Sequence, residues 1–223
     1  MFSSNERKAK RMMSGLPDSV SDRAYNFIIG GCILYGFIVN AIIVISCQDI
    51  FAKMNPWVFL IGYFVLCIAG SVITASSSNP FISFLGYNMI VVPIGALLST
   101  SLPFYYIKDI IAAILVTAVV VAIMVGLSVA YPRFFAGLGR VLFFSLLIGL
   151  LAQVVAMFLG YGGTIFNWLF VVIFSLYIGY DWFKAQSYPK TVDNAVDSAV
   201  DLYLDIVNLF LQILQIISRM RDN

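Results

Sequence analysis

Asp201-Leu202-Tyr203-Leu204-Asp205-Ile206-Val207-Asn208-Leu209-Phe210-Leu211-Gln212-Ile213-Leu214-Gln215-Ile216-Ile217 is an apolar segment carrying a polar seam. Asp201, Asp205, Asn208, Gln212 and Gln215 recur at spacings of four, three, four and three. At about 100° per residue, these positions fall within about 80° of one another on a helix, and Asp197 lies on the same stripe. Lipid offers such groups no hydrogen bonds. A membrane helix built this way must turn its seam toward protein, water or ions.

Composition supports a membrane setting for that helix. Of 223 residues, 61% are hydrophobic and 11% charged, and the mean hydropathy is +0.97. A soluble domain carries about 25% charged residues. No polar stretch is long enough to build a separate soluble core. The expected class is therefore an all-α polytopic membrane protein, with residues 1–24 a cytoplasmic N-terminal segment and 25–223 one transmembrane domain. The formal charge of +2 gives no sign of nucleic acid as a partner. Arg7, Lys8, Lys10 and Arg11 form a basic cluster whose simplest role is a cytoplasmic flank. The three cysteines, Cys32, Cys47 and Cys67, form no CxxC pair and suggest no disulfide framework. The chain has no histidine, which excludes His relays, His metal ligands and Ser-His or Cys-His catalysis. The polar N-terminal stretch before a long apolar run does not read as a cleavable signal.

Apolar runs of about 20 residues are membrane-helix candidates. Seven are expected, near 25–47, 57–76, 80–103, 108–131, 140–160, 163–184 and 197–218. The connections between the first six have turn chemistry, and Asn79-Pro80 reads as an N-cap followed by Pro at the first helical position. Lys184 to Val196 is the one longer polar connection, broken at Pro189. With the N-terminus cytoplasmic, the inner segments hold nine basic residues: Arg7, Lys8, Lys10, Arg11, Arg23, Arg133, Arg140, Lys184 and Lys190. The outer segments hold four: Lys53, Lys108, Arg219 and Arg221. That bias favours N-in. The basic end Arg219/Arg221 pulls the other way, and a six-span form with a surface-lying or re-entrant last helix is the alternative. Ala118, Ala122, Gly126 and Ala130 form a small-residue ridge on the fourth span, expected to serve helix packing. Pro93 with Gly95 can kink the third.

Intramembrane carboxylates are expensive and are functional candidates for that reason. Asp181 closes Ser175-Leu176-Tyr177-Ile178-Gly179-Tyr180-Asp181, and Asp205 lies about two turns into the predicted seventh span. If the sixth and seventh spans form a hairpin, both carboxylates lie toward the cytoplasmic side and can approach. Two carboxylates within hydrogen-bond reach do not both ionise comfortably, so such a pair shares a proton and acts as a pH-sensitive latch. The same oxygens suit a hard cation such as calcium. The simpler reading of Asp181 is a membrane-edge position beside Tyr180, Trp182 and Lys184. Asn40, Asn88, Gln153 and Asn167 are read as interhelical hydrogen-bonding residues. Tyr180-Asp181 with Asp205 superficially suggests an intramembrane aspartyl protease. The glycine that such a second motif needs is missing from Leu202-Tyr203-Leu204-Asp205, no Pro-Ala-Leu follows, and no enzyme is expected.

The C-terminal third resembles the Bax-inhibitor family, the transmembrane Bax inhibitor motif proteins. The residues that carry this are Ser175 to Asp181 and, 24 positions after Asp181, Asp205 within Leu202-Tyr203-Leu204-Asp205-Ile206-Val207-Asn208-Leu209-Phe210. Chain length and span count also fit. The resemblance implies six helices wrapped around a central C-terminal seventh. It further implies a pH-sensitive calcium leak in which Asp181 and Asp205 form a hydrogen-bonded sensor and gate. Asp201, Asn208 and Gln212 would then line or steady the ion path, with calcium held transiently at Asp181 and Asp205. Bacterial members can carry charged residues in the second span, available to the aspartates. Trp57 to Ser76 here has none. Without a cation nearby, the pair should hold its shared proton more tightly.

The functional expectation is a passive cation leak in a bacterial plasma membrane. No cofactor is expected, and lipid, calcium and protons are its expected partners. A non-conducting membrane scaffold, or a proton-coupled transporter of a small solute, would explain the same acidic seam. A transporter would usually show internal repeats, and none is evident.

Overall fold

The computed structural model describes residues 19–160 and 164–222. The basic cluster at Arg7–Arg11 therefore lies outside the described residues. Among the described residues regular structure is helical, apart from a single bridge between Ser19 and Thr191. Seven helices are long and apolar enough to cross a membrane. They are α1 (Asp22–Ser46), α2 (Pro56–Ser76), α3 (Pro80–Ser101), α4 (Ile107–Ala130), α5 (Gly139–Phe158), α6 (Thr164–Ser187) and α7 (Val192–Asp222). Short helices at Gln48–Ala52 and Pro132–Ala136, and a 3-10 turn at Leu102–Phe104, occupy connections expected to be simple turns.

The helix starts are written in local chemistry. Ser21 Oγ accepts from Ala24 N at 3.2 Å and opens α1. Asn55 and Asn79 cap α2 and α3, each followed by Pro at the first helical position. The cap at Asn79 is the one expected from sequence. The connection before α7 is shorter than expected. α6 continues through Ser187 because Trp182 to Ser187 contain no breaker and Ala185 is fully buried. Pro189 then ends it by disfavouring helix at Tyr188. Thr191 restarts the chain: its Oγ1 accepts from Asn194 N at 3.2 Å, so α7 begins at Val192 rather than near 197.

The chain divides into two compact units. One holds α1, α2 and α3 with Ser187–Asp201; the other holds Tyr105–Gln186 with the residues from Leu202 onward. In the first unit α2 crosses α3 at a point where both lack side chains. A Cβ on Gly70 would sit 2.5 Å from Gly86 O, and one on Gly86 would sit 2.8 Å from Gly70 O. Asn88 joins α3 to α1 by accepting from Tyr35 Oη at 2.7 Å, the interhelical role expected of it. Pro93 lies inside α3, and Gly95 faces Asn40 and Ile43 of α1 so closely that a Cβ would meet both.

The α4 ridge does not pack as expected. Ala118, Ala122, Gly126 and Ala130 are all exposed, and a Cβ on Gly126 would meet nothing within 4 Å. The buried face of α4 is instead Asp109, Ala113, Thr117, Met124 and Ser128. Polar groups on it, such as Thr117, draw that face inward, whereas alanine and glycine are apolar enough to face lipid.

α7 is the most buried of the seven long helices. Within its membrane-length window 61% of residues are buried, against 11% in α2, α4 and α5. This is the burial that a central C-terminal helix requires, and it is unlike a helix lying on a membrane surface. With 31 residues, α7 is about 46 Å long, more than the roughly 30 Å of a hydrocarbon core. In the first unit, Tyr25 of α1 and Ser83 of α3 bond residues at the start of α7. In the second, Asp109 of α4 and Thr164 of α6 bond residues at its end.

Candidate functional site

The segment Gly179-Tyr180-Asp181 of α6 is fixed from several directions. Ser128 Oγ of α4 donates to Gly179 O at 2.7 Å. The ring of Phe135, from the short helix after α4, packs on the bare Cα of Gly179, where any Cβ would collide with it. Tyr180 lies against Gly139 at the start of α5, where a Cβ would come within 2.5 Å of its Oη. Two glycines and a serine thus let α4, α5 and α6 meet closely, which fixes the direction in which Asp181 projects. Gly179 and Gly139 are the sequence signal for this anchoring, but nothing local shows which ring fills each gap.

Asp181 is 7% exposed, and its Oδ1 accepts from Lys184 Nζ at 2.6 Å. Lys184 also lies over the Tyr180 ring, 5.6 Å from its centroid. Lys184 is therefore more than a membrane-edge residue. The expectation that the aspartates have no cation nearby is overturned: α6 itself supplies one, three residues after Asp181, the spacing that places two side chains on one helix face. Asp181 is also not the end of its helix, which runs six residues further.

Asp205 is 8% exposed and lies thirteen residues into α7, about 20 Å from its start. It is deeper than the two turns expected, because α7 starts earlier. Tyr177 of α6 lies within electrostatic range of both Asp205 and Asp181, and of Lys184. The two predicted site carboxylates thus border one group: Tyr177, Tyr180, Asp181 and Lys184 on α6, with Asp205 on α7. Tyr177 stands one turn before Asp181, and its share in the site is not apparent from sequence without α7 beside it.

The remaining predicted positions differ among themselves. Asp201 is half-buried and belongs to the other unit. Asn208 is half-buried, and its Nδ2 donates to Leu204 O of its own helix at 2.8 Å. Gln212 is half-buried, while its Oε1 is buried without a hydrogen-bond partner among the described residues. Asn167 of α6 is 2% exposed, and its Nδ2 is in the same condition. Unsatisfied buried amide atoms cost about 1–3 kcal/mol each, so a water or ion beside them has a thermodynamic reason to be there. Several other hydroxyls in the spans donate to carbonyls of their own helices, as Thr117 does to Ala113 O and Ser175 to Val171 O.

The family described as Inhibitor of apoptosis-promoting Bax1 matches residues 18–223. The chain belongs to the Bax-inhibitor family. The match takes in α1 to α7, far more than the C-terminal third on which the resemblance rests. This Bax-inhibitor protein is also 33% identical over 111 residues to an uncharacterized protein of Helicobacter pylori strain 26695, and to one of strain J99. Each match covers 48% of this chain and 46% of the relative, so the chain spans about half the length of the relatives it matches. No solved structure matches it. The seven long apolar helices among its described residues and its family make it a multi-pass membrane protein.

Proposed function

We propose that this protein is a pH-sensitive cation leak, with calcium a permeant ion, in a bacterial plasma membrane. The observation that supports it best is the placement of two buried carboxylates, Asp181 and Asp205, around one tyrosine, with Lys184 bonded to the first. Protons act on this group in a simple way. The Lys184–Asp181 pair exists only while Asp181 is charged, so protonating Asp181 releases Lys184 and removes the ionic hydrogen bond. Deprotonating both aspartates adds their mutual repulsion, which Lys184 partly offsets. Either change alters the hold of α6 on α7. A passing calcium ion takes the place of Lys184 as the cation at the carboxylate oxygens. Asp201, Asn208 and Gln212 continue the polar seam along α7, which is the route we assign to the ion.

The N-terminus is assigned to the cytoplasm. The main charge against that orientation is the basic end of α7, and Arg221 there is paired with Asp109. It is thus a structural cation and a weak topology signal. A non-conducting scaffold remains the second reading, favoured by Asn208 and the span hydroxyls that bond within their own helices.

The test is calcium entry into dye-loaded proteoliposomes between pH 6 and pH 8, for wild type, Asp181→Asn, Asp205→Asn and Lys184→Met. The leak reading expects pH-dependent flux that each aspartate variant flattens. Lys184→Met should change the pH at which flux turns on and leave its maximum in place. Folded wild-type protein that carries no more calcium than empty liposomes at any pH would sink the leak and favour the scaffold.

A further inference from the structure

The chain just ahead of α1 lies along the connection between α6 and α7. Val20 N donates to Lys190 O at 2.7 Å, and Ser19 bridges Thr191 in antiparallel sense. All four residues belong to one compact unit. A connection between two helices is short of bonds, because the last carbonyls of one helix and the first N–H groups of the next lack partners within them. Here some are met locally. Thr191 N donates to Pro189 O at 3.0 Å, Asn194 Nδ2 donates to the same oxygen at 2.9 Å, and Asn194 N donates to Thr191 Oγ1 at 3.2 Å. The carbonyl of Lys190 is met from the other end of the chain, by Val20.

The charge of Lys190 is held from the same side. Lys190 stands two residues before α7, and its ammonium lies 4.5 Å from the centroid of Tyr25, in the first turn of α1. Both helices begin there, and a helix start repels a cation. The Tyr25 ring face and Asp22, which lies within electrostatic range of the ammonium, oppose that repulsion. Both belong to α1, directly after Ser19–Ser21 in the chain. Tyr25 Oη extends the hold to Asn194 O and Ser198 Oγ.

We infer that Ser19–Ser21 is a releasable strap. Closed on Lys190 and Thr191, it keeps the α6–α7 connection docked on α1 and fixes the first turns of α7. Released, it frees those turns while the rest of the helix keeps its place. A single bridge has no ladder to support it, so opening it costs about one net hydrogen bond. The bearing of the strap on calcium leak rests on the proposed function, because α7 carries the polar seam. The strap itself does not rest on it.

A reversible lock tests the strap. The flanking bond from Val20 N to Lys190 O makes Ser19 and Thr191 a non-hydrogen-bonded pair. The Cα atoms of such a pair lie about 4.5 Å apart, inside the disulfide range. Ser19→Cys/Thr191→Cys is introduced into protein whose Cys32, Cys47 and Cys67 are replaced, and amide exchange along α7 is compared between its oxidised and reduced forms. The lost cap at Thr191 is common to both forms and cancels. The expected result is exchange at 192–198 about fivefold slower when oxidised, with 210–218 within about twofold. Rates at 192–198 within about twofold overturn the strap, and so does an equal change along all of α7, which marks general stability. A pair that does not oxidise also overturns it. Val20→Pro is the opposite perturbation, since it removes the donor N–H. It should speed exchange at 192–198 about fivefold over Val20→Ala, which keeps that N–H. If the cysteine pair does not fold, this comparison decides alone, and equal rates overturn the strap. Exchange is read whether or not the protein carries calcium, so strap and leak fail separately.

Discussion

The two ends of α7 solve one problem differently. Each has a buried aspartate, and each has a cation lying over a tyrosine ring. At the start, Asp193 accepts from the Ser83 hydroxyl at 2.6 Å, while Lys190, a separate residue, lies 4.5 Å from the centroid of Tyr25. Tyr25 in turn bonds the same end through its hydroxyl, to Asn194 O at 3.3 Å and Ser198 Oγ at 3.2 Å. At the far end one residue does both tasks: Arg221 pairs with Asp109 and stacks on Tyr106. The difference teaches how charge is used. The start is fastened by several hydrogen bonds spread over different residues, whose losses should be individually modest, and at the far end one guanidinium holds both the carboxylate and the ring.

The far end should therefore break hardest. Removing one partner of a buried pair costs about 3–5 kcal/mol, and of an exposed pair about 0–1. Here the pair is uneven: the Arg221 side chain is 36% exposed and that of Asp109 8%. Arg221→Ala strands a carboxylate that cannot reach water, whereas Asp109→Ala leaves an arginine that can. Arg221→Ala should cost about 2–3 kcal/mol and Asp109→Ala about 1, read as melting temperatures in one detergent. Equal losses would show that the pair is solvated, and the contrast with the start of α7 would fall.

At the start, Ser83→Ala removes a hydroxyl donor from a buried carboxylate and should cost about 1–2 kcal/mol. Tyr25→Phe keeps the ring under Lys190 and loses only the hydroxyl, for about 1 kcal/mol or less. The comparison predicts that these two losses add, because they act on different bonds. A combined loss well above the sum would mean that the start of α7 is one cooperative cluster.

What the sequence discloses follows the same division between local and distant causes. Seven spans, the Asn79-Pro80 cap and the Asp181/Asp205 candidates all follow from periodicity, local capping and the cost of charge in lipid. So does the burial of α7, since an acidic and amide seam has nowhere else to go. The misreadings concern partners. Lys184 looked like a membrane-edge lysine because its role depends on a bond to Asp181 that competes with snorkelling into water. The α4 ridge has the right spacing for a crossing, yet the close crossing is at Gly70 and Gly86, where two helices each lack a side chain at the same level. Spacing within one helix cannot show that coincidence. The early start of α7 was hidden because polar residues in 192–196 look like loop until Thr191 is seen to cap them.

The smallest effect belongs to Lys190, and its sign decides which force governs the start of α7. Burial pushes the Lys190 ammonium below its usual pKa, and Asp22 opposes that shift. The unfolded chain then binds more protons than the folded one between the lowered value and the ordinary 10.5. Stability must rise as pH climbs through that window, because the burial penalty on the charged form disappears. Below the window Lys190 is charged in both states and the penalty is present in full. Wild-type protein should therefore gain a little melting temperature between pH 8 and pH 10 relative to Lys190→Met, which carries no charge at that position. The gain is small because Lys190 is only partly buried and water screens the rest. A loss relative to Lys190→Met would mean that the cation over Tyr25 is worth more than its burial costs. The start of α7 would then depend on a charged residue as the far end depends on Arg221, and the two ends would differ only in how many residues share the work.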